Sequence, residues 1–247
     1  MAKYDVLYKS EFATLDVRYD IVNDHIGNLI KGTSVTPLIL EGPAGVGKTS
    51  MVEHFMKSHG HTQYQKVAGK ITPMALFMNL YALRNKCDIL ILDDTDTAYD
   101  NIDALNILKA AMDSNPIREV SWISARQTAG LPNQFTTEGS IIVLSNNTFT
   151  NSGTSKKHEH LRAIMSRGFH VAISDDNEEN KFIQICYMVY RHNMLNHLSA
   201  DSKIEVLDYL NHRKSSFKQF DLRTAIKVAE LYVTQPTKWE VHADIML

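Results

Sequence analysis

The sequence is poor in cysteine and has no strong excess of either charge. Cys87 and Cys186 are the two cysteines among 247 residues, and neither belongs to a Cys-x-x-Cys pair. Two isolated cysteines in apolar surroundings predict buried, reduced thiols instead of a disulfide framework. The formal net charge is −2 at pH 7, which argues against a generally basic nucleic-acid binder and leaves a local basic groove open.

Long hydrophobic runs are also missing. No apolar stretch approaches the roughly 20 residues that cross a bilayer, so no membrane partner is expected. The first residues, MAKYDVLYKSEF, carry charges where a secretory signal has an apolar core. We therefore expect a cytoplasmic protein. Its 247 residues are enough for one large α/β domain, or for a core with a smaller attached domain, and 44% hydrophobic and 22% charged residues are typical of a globular protein.

A glycine-rich segment follows the first predicted strand, which covers residues 37–41. The segment reads GPAGVGKT and fits the pattern G-x-x-x-x-G-K-[ST], and helical spacing continues from Ser50 to Lys57. Glycines let backbone N–H groups turn inward around phosphate oxygens, and the positive end of the new helix points to the same place. The predicted nucleotide-binding residues of this segment are Gly42, Pro43, Ala44, Gly45, Val46, Gly47, Lys48, Thr49 and Ser50.

A second apolar strand ends in carboxylates. The stretch ILILDDTD places four apolar residues before Asp93 and Asp94. Such a strand end is compatible with a simple turn into water, but the phosphate-binding segment gives it a cation to hold. We expect Thr49 and Asp93 to hold Mg²⁺, the latter through water, because Mg²⁺ keeps several waters and prefers oxygen ligands. Asp94 points to the other side of the strand and is the candidate general base.

Three further segments follow in a fixed order. The strand SIIVLSNN ends in Asn146 and Asn147, the segment IMSRG contains Arg167, and FDLRTA opens a helix that contains Arg223, with Asp221 as its predicted N-cap. Taken singly, each has a simpler interpretation: a terminal amide is a common turn residue, and a surface arginine often pairs with a carboxylate.

Together, the five segments make the chain resemble an AAA+ ATPase from about residue 23 to residue 235. GPAGVGKT resembles the Walker A loop and ILILDD the Walker B strand. The resemblance implies that Asn146, or else Asn147, is sensor 1 and orients the attacking water. It implies that Arg167 is the arginine finger, which reaches a neighbouring subunit's nucleotide, and that Arg223 is sensor 2, which contacts the nucleotide of its own subunit.

The resemblance also implies a fold and a division into domains. We expect a P-loop α/β core with a parallel five-stranded sheet flanked by helices over residues 1–174, and a helical lid over residues 175–247. The lid fits the sequence, since apolar residues recur at helical spacing in three successive segments. Acidic residues in DDNEEN favour the start of its first helix.

Two connections are candidates for substrate contact. Lys70 and Ile71 follow the strand 64–68, at a position that faces the central pore in ring-shaped relatives. There they would form the exposed tip of the loop and meet a phosphate backbone or an extended peptide, although an ordinary strand-to-helix connection fits equally well. The stretch from Arg118 to Pro132 suggests a β-hairpin or an extended excursion, and it resembles the insertion that some AAA+ proteins carry before sensor 1. Arg126 is its candidate contact residue.

These features predict an ATP-hydrolysing, Mg²⁺-dependent motor that assembles as a ring, with six copies expected, and that remodels or translocates a nucleic acid or a polypeptide. The alternative is a slow ATP-dependent switch or loader subunit that acts through a partner protein. The compact chain resembles AAA+ proteins encoded by bacteriophages, which implies the host cytoplasm. One departure stands out: the family usually has Glu where this chain has the shorter Asp94.

Overall fold

A computed structural model describes residues 3–123, 130–146, 156–173 and 177–247. The described residues form two compact units. The sheet unit comprises Ile21–Glu41 and Lys48–Ala172, and the helical unit comprises Met1–Asp20, Gly42–Gly47 and Ile173–Leu247. No helix in the described ranges is long and apolar enough to cross a membrane.

The sheet unit contains a five-stranded parallel sheet, as the sequence predicts. The strands in chain order are β1 (Leu38–Glu41), β2 (Tyr64–Ala68), β3 (Ile89–Asp93), β4 (Arg118–Ser121), β5 (Gln134–Thr137), β6 (Ser140–Ser145) and β7 (Phe169–Ala172). The parallel sheet has the order β2-β3-β6-β1-β7. All residues of β1, β3 and β6 are buried, which explains why these strands read as continuous apolar runs.

Helices precede, separate and follow the strands in chain order. They are α1 (Lys3–Leu7), α2 (Lys9–Ile30), α3 (Lys48–Ser58), α4 (Pro73–Ala82), α5 (Asp96–Tyr99), α6 (Ile102–Ala111), α7 (Lys156–Met165), α8 (Glu178–Arg191), α9 (Ala200–Arg213), α10 (Leu222–Thr234) and α11 (Trp239–Ala243), with a final 3₁₀ turn over Asp244–Met246. Their N-caps follow the local sequence: Thr72 begins α4 and Asn177 begins α8, each by accepting a backbone N–H bond.

Strands β4 and β5 form an antiparallel hairpin outside the main sheet. Val120 lies opposite Phe135, and Phe135 packs edge-on against Phe77 of α4 at 5.0 Å. Arg118 is 1% exposed, and its guanidinium donates to the Gly139 and Val35 carbonyls. The predicted hairpin is therefore confirmed, with its returning strand beginning just beyond the stretch 118–132.

The helical unit contains the three helices predicted for the lid, together with the N-terminal helix. Tyr4 packs edge-on against Phe182 at 5.2 Å, and Phe12 packs in the same way against Tyr187 at 5.5 Å. These contacts join α1 and the first part of α2 to α8. Residues 1–20, which the sequence predicts as part of the α/β core, group with the C-terminal helices in the structure. The expected boundary between 174 and 175 lies outside the described residues.

Candidate functional site

Polar side chains of the sheet unit meet where three neighbouring strands end. Lys48 and Thr49 begin the helix that follows β1, Asp93 and Asp94 lie at the end of β3, and Asn146 follows β6. Because β3, β6 and β1 are adjacent and parallel, their carboxyl ends lie at one edge of the sheet. Ligands of open α/β sheets bind at this edge.

Lys48 is held in a buried position at the start of α3. It is 6% exposed, and its Nζ donates a 2.7 Å hydrogen bond to Oδ1 of Asn146. A buried ammonium needs a hydrogen-bonding or charged partner, because desolvation otherwise disfavours its charged form. The amide of Asn146 is such a partner within the sheet unit.

Thr49 and Asp93 form a hydroxyl–carboxylate pair. The Thr49 hydroxyl lies 3.0 and 3.1 Å from the two carboxylate oxygens of Asp93, to which it donates. Asp93 is 8% exposed, and burial raises the pKa of its carboxyl; the Thr49 hydrogen bond opposes that shift and the neighbouring charge of Asp94 adds to it. A half-buried hydroxyl beside a buried carboxylate fits Mg²⁺, whose charge would compensate the desolvated carboxylate.

Asp94 adopts a left-handed backbone conformation, with φ of 50°. Its side chain is exposed, and its Oδ1 accepts a 2.6 Å hydrogen bond from Nδ2 of Asn146. Asp tolerates this region better than most residues, but the conformation is still uncommon and marks a position that the surrounding structure imposes. Asn146 therefore bridges Lys48 on one side and Asp94 on the other.

The glycine-rich loop 42–47 belongs to the helical unit. Gly45 and Gly47 have φ of 76° and 93°, conformations that favour glycine. A Cβ on Gly45 would lie 2.2 Å from Oδ2 of Asp221, and the backbone N–H of Leu222 donates to the Gly45 carbonyl at 3.1 Å. The start of α10 therefore packs directly on this loop.

Arg223 lies in the first turn of α10. Asp221 is the N-cap, as predicted, and accepts a 2.9 Å bond from the backbone N–H of Thr224. Arg223 is exposed, and among the described residues its guanidinium has no hydrogen bond or ion pair. A free guanidinium beside the residues that pack on the glycine-rich loop is available for a phosphate.

Arg167 lies in the turn between α7 and β7. It is half-buried, its Nη1 donates to the Ala163 carbonyl at 2.6 Å, and its buried Nε has no partner among the described residues. In the single chain the guanidinium is thus engaged with its own helix.

The residues predicted to contact a substrate differ in their exposure. Lys70 is exposed, but Ile71 is 5% exposed and packs in the core of the sheet unit, so the expectation that both residues form an exposed tip is wrong for Ile71. The start of α4 follows at once, which brings this side chain into the core. Gly69 donates its backbone N–H to the Asp93 carbonyl at 3.0 Å, which ties the loop to the end of β3. Arg126 and Asn147 lie outside the described residues.

The sequence did not predict a hydrogen-bonded pair between Glu41 and His170. Glu41, the residue before Gly42, is buried and lies 2.7 Å from Nε2 of His170 on β7. The two strands are neighbours in the parallel sheet. An acid at the end of an apolar strand was the available signal, but its partner lies 129 residues away along the chain.

A cavity in the helical unit was also missed. Its volume is about 200 Å³, and its lining residues are Glu11, Thr14, Leu15, Arg18, Ile173, Asn180, Ile183 and Gln184. Gln184 is 1% exposed. The sequence signal was a single amide within the apolar stripe of α8.

Comparison with known proteins gives one distant relative by sequence. No family model matches the chain. An uncharacterized 36.7 kDa protein of Enterobacteria phage T4, encoded in the nrdC-mobD intergenic region, is 25% identical over 244 residues, which cover 94% of this chain and 74% of that protein.

Solved structures give closer agreement in fold than in sequence. The Thermotoga maritima RuvB Holliday junction branch migration motor superposes with a TM-score of 0.53 at 12% identity, over 94% of this chain and 67% of RuvB. The replication initiator DnaA bound to AMPPCP and single-stranded DNA has a TM-score of 0.51 at 16% identity, and the Aeropyrum pernix ORC1 protein in complex with DNA has 0.51 at 14%. Each of these two matches covers 93% of this chain and 64% of the matched chain.

Proposed function

Because the chain has the fold of the AAA+ P-loop ATPases, we propose that it binds and hydrolyses ATP and uses the energy to act on nucleic acid. One observation carries this proposal. Lys48, Thr49, Asp93, Asp94 and Asn146 come from three separate segments. The sheet brings them to one edge, where ligands of such sheets bind, and there Asn146 bonds to Lys48 and Asp94 while Thr49 bonds to Asp93.

ATP binding in this proposal uses the whole segment from Gly42 to Ser50. Backbone N–H groups of the loop receive phosphate oxygens, and the Lys48 ammonium exchanges Asn146 for the β- and γ-phosphates. Thr49 and Asp93 hold Mg²⁺, which supplies charge neutralisation at the phosphate oxygens. Arg223 contributes a further positive charge from α10.

Hydrolysis in this proposal begins when Lys48 releases Asn146. Asp94 accepts the proton of the attacking water, and Asn146 orients that water through its amide. Arg167 of a neighbouring copy stabilises the charge that develops on the transferred phosphoryl group. Catalysis then depends mainly on positioning and electrostatic stabilisation, as in other phosphoryl-transfer sites.

The proposed assembly is a ring of six copies that works as a motor in the host-cell cytoplasm. The proposed role of Arg167, which completes the site of a neighbouring copy, requires an oligomer. Nucleic acid is the favoured polymer, because the matched RuvB is a Holliday junction motor and the matched DnaA and ORC1 structures contain DNA. Exposed Lys70, and Arg126 from the sequence stretch 118–132, are the candidate contacts.

A slow switch or loader is the second candidate, and the geometry at Asp94 favours it. The Asp94 carboxylate is one methylene shorter than the glutamate usual in this family, and the amide of Asn146 already engages it. A base that stands back from the water would hydrolyse ATP slowly and hold a partner protein in the meantime.

Turnover with defined polymers tests the proposal. The ATPase rate of the full chain would be measured alone and with single-stranded DNA, duplex DNA, RNA or unfolded protein, alongside particle mass with and without ATP. A motor gives sustained turnover that DNA stimulates and a ring-sized mass with ATP. One round of hydrolysis without stimulation supports the switch, and no Mg²⁺-dependent hydrolysis under any condition contradicts both.

A further inference from the structure

The Glu41–His170 pair joins the end of β1 to the edge strand β7. Glu41 is 5% exposed, and its carboxylate accepts a 2.7 Å hydrogen bond from Nε2 of His170. In the register of the two strands, His170 lies opposite Ile39, two residues before Glu41, so the pair is a diagonal contact on one face of the sheet. The proposed steps of ATP hydrolysis leave this buried acid without a role.

A polar pair at this place calls for a function other than stability. The rest of β1 is apolar, and the strand is buried along its whole length. Burying a carboxylate costs free energy that its hydrogen bond offsets only in part, and apolar residues of similar volume often stabilise a protein as well or better. A directional hydrogen bond instead specifies geometry. If β7 slipped by one residue on β1, the His170 side chain would point to the opposite face and lose Glu41.

Strand β7 has little else to fix its register on β1. It lies at the edge of the parallel sheet, and three of its four residues are exposed. Phe169 stacks on the His25 ring with centroids 4.8 Å apart, but it is still 39% exposed. A backbone ladder can form in either register, so side chains have to select one. The buried contact with Glu41 makes that selection.

The register of β7 sets the place of Arg167, which lies two residues before this strand. The turn that carries it rests on β1. The backbone N–H of Phe169 donates to the Pro37 carbonyl at 2.7 Å, and a Cβ on Gly168 would lie 2.6 Å from Cδ1 of Ile39. A slip of one residue would move the strand by about 3.3 Å and carry Arg167 with it. A misplacement of about 1 Å can already lower a catalytic rate 10²-fold.

We propose that the Glu41–His170 pair positions Arg167, by fixing the register of β7 so that each copy presents this arginine to the nucleotide of its neighbour. The inference rests on the proposed shared site and adds two positioning residues to it. Glu41 and His170 then act in the copy that donates the arginine. Their own copy can still hydrolyse ATP with an arginine from another neighbour.

An apolar pair separates positioning from stability. Glu41→Leu/His170→Val replaces the hydrogen bond with apolar contact, so this double variant should melt near the wild-type temperature. Its hydrolysis under conditions of assembly should nevertheless fall at least about tenfold, because Arg167 is no longer held in one place. His170→Gln keeps an N–H donor at a similar reach and should hydrolyse ATP like the wild type. A wild-type rate in the double variant, or an equal loss in His170→Gln, would overturn the inference.

Mixed assemblies show in which copy the pair acts. Arg167→Ala copies lack the arginine, whereas Asp94→Asn copies keep it and lack the proposed base. The double variant should regain activity with Asp94→Asn copies, which supply the arginine, and none with Arg167→Ala copies, which need one. His170→Val alone should show the same difference, so the comparison does not depend on the folding of the double variant. Equal results in the two mixtures, whether recovery or none, would overturn the inference.

A control mixture separates this inference from the proposed function. Arg167→Ala and Asp94→Asn copies together should regain activity if the site is shared. Failure of that mixture would overturn the shared site and the positioning role with it. Recovery there, combined with equal results in the two test mixtures, would overturn the role of Glu41 and His170 alone.

Discussion

The candidate groups at the strand ends of the sheet unit are paired with one another, whereas the candidate groups of the helical unit keep unmet polar atoms. Lys48, Asn146 and Asp94 form one chain of hydrogen bonds, and Thr49 is bonded to Asp93. In the helical unit, the Arg223 guanidinium and Gln184 Oε1 have no partner among the described residues. The strand-end groups are thus already hydrogen-bonded in the free chain, and we expect a ligand to supply the partners that the helical groups lack.

This difference separates two kinds of mutational effect. Removing a sheet-edge group disrupts an existing network and the chemistry together. Removing an unpartnered helical group should change the stability of the free protein little. Its effect should be seen only as weaker ligand binding. Variants of the two regions should therefore differ both in the size of the effect and in whether the nucleotide-free protein is altered.

The largest effect is expected at Lys48. Lys48→Ala removes the buried cation that we propose for the β- and γ-phosphates, so ATP binding should weaken and hydrolysis should fall by at least about 10³-fold. Titration with labelled ATP and phosphate release measure the two losses. Lys57→Ala, in the last turn of the same helix, is the matched control and should change neither. Comparable activity in the two variants would remove Lys48 from the site.

Arg167→Ala tests the proposed shared site. Hydrolysis should fall on the order of 10³-fold under conditions of assembly, because an arginine supplied by a neighbour acts in the transition state, and ATP binding should persist. Mixing this variant with Asp94→Asn, each able to donate the group that the other lacks, should restore part of the activity. Normal turnover by the assembled Arg167→Ala protein would contradict the shared site.

Asp94 is the next test, and it separates motor from switch. Asp94→Asn should bind ATP with near-normal affinity and hydrolyse it on the order of 10²-fold more slowly, because the amide cannot accept the proton. Asp103→Asn, an exposed acid on α6, serves as control. Asp94→Glu extends the carboxylate by one methylene; faster hydrolysis than in the wild type would favour the switch, and a loss would favour a motor built around aspartate.

The Arg223→Ala variant tests the unpartnered groups of the helical unit. Arg223→Ala should leave the melting temperature of the free protein unchanged within about 1 °C, since the exposed guanidinium has no partner there, and should weaken ATP binding about tenfold. Lys227→Ala removes an exposed cation one turn further along α10 and should bind ATP normally. Equal weakening in both variants would indicate general charge attraction and not a contact made by Arg223.

Local sequence was enough to predict the strands, the helix after the glycine-rich loop and the Asp221 cap. Each depends on residues a few positions apart. The parallel sheet then follows from the alternation of strands and helices, and its adjacent strand ends bring Lys48, Asp93 and Asn146 together.

What the sequence did not predict depends on contacts between distant segments. Residues 1–20 join the C-terminal helices because Tyr4 and Phe12 pack against aromatic side chains of α8, more than 170 positions away. Ile71 is buried because α4 packs beside it, which no pattern in its own loop indicates. The orientation of Gln184 depends on the Tyr19 hydroxyl, so its unpaired oxygen is visible only in the fold.

The smallest effect is expected on stability at Gly45, with Gly60 as a matched glycine in the sheet unit. Both have positive φ, 76° and 65°, so alanine pays a similar backbone cost of about 1 kcal/mol at each. A Cβ meets Asp221 at Gly45 and nothing within 4 Å at Gly60. Gly45→Ala should therefore lower the free energy of unfolding by about 1–2 kcal/mol more than Gly60→Ala, because the added Cβ displaces the Asp221 side chain that caps α10.

Urea denaturation measures the free energy of unfolding of both variants. Asp221→Ser keeps a capping oxygen on a shorter side chain, so adding it to each variant should remove most of the difference between them. Equal costs at the two glycines would mean that α10 does not rest on the loop, and Arg223 would lose its place beside the phosphates.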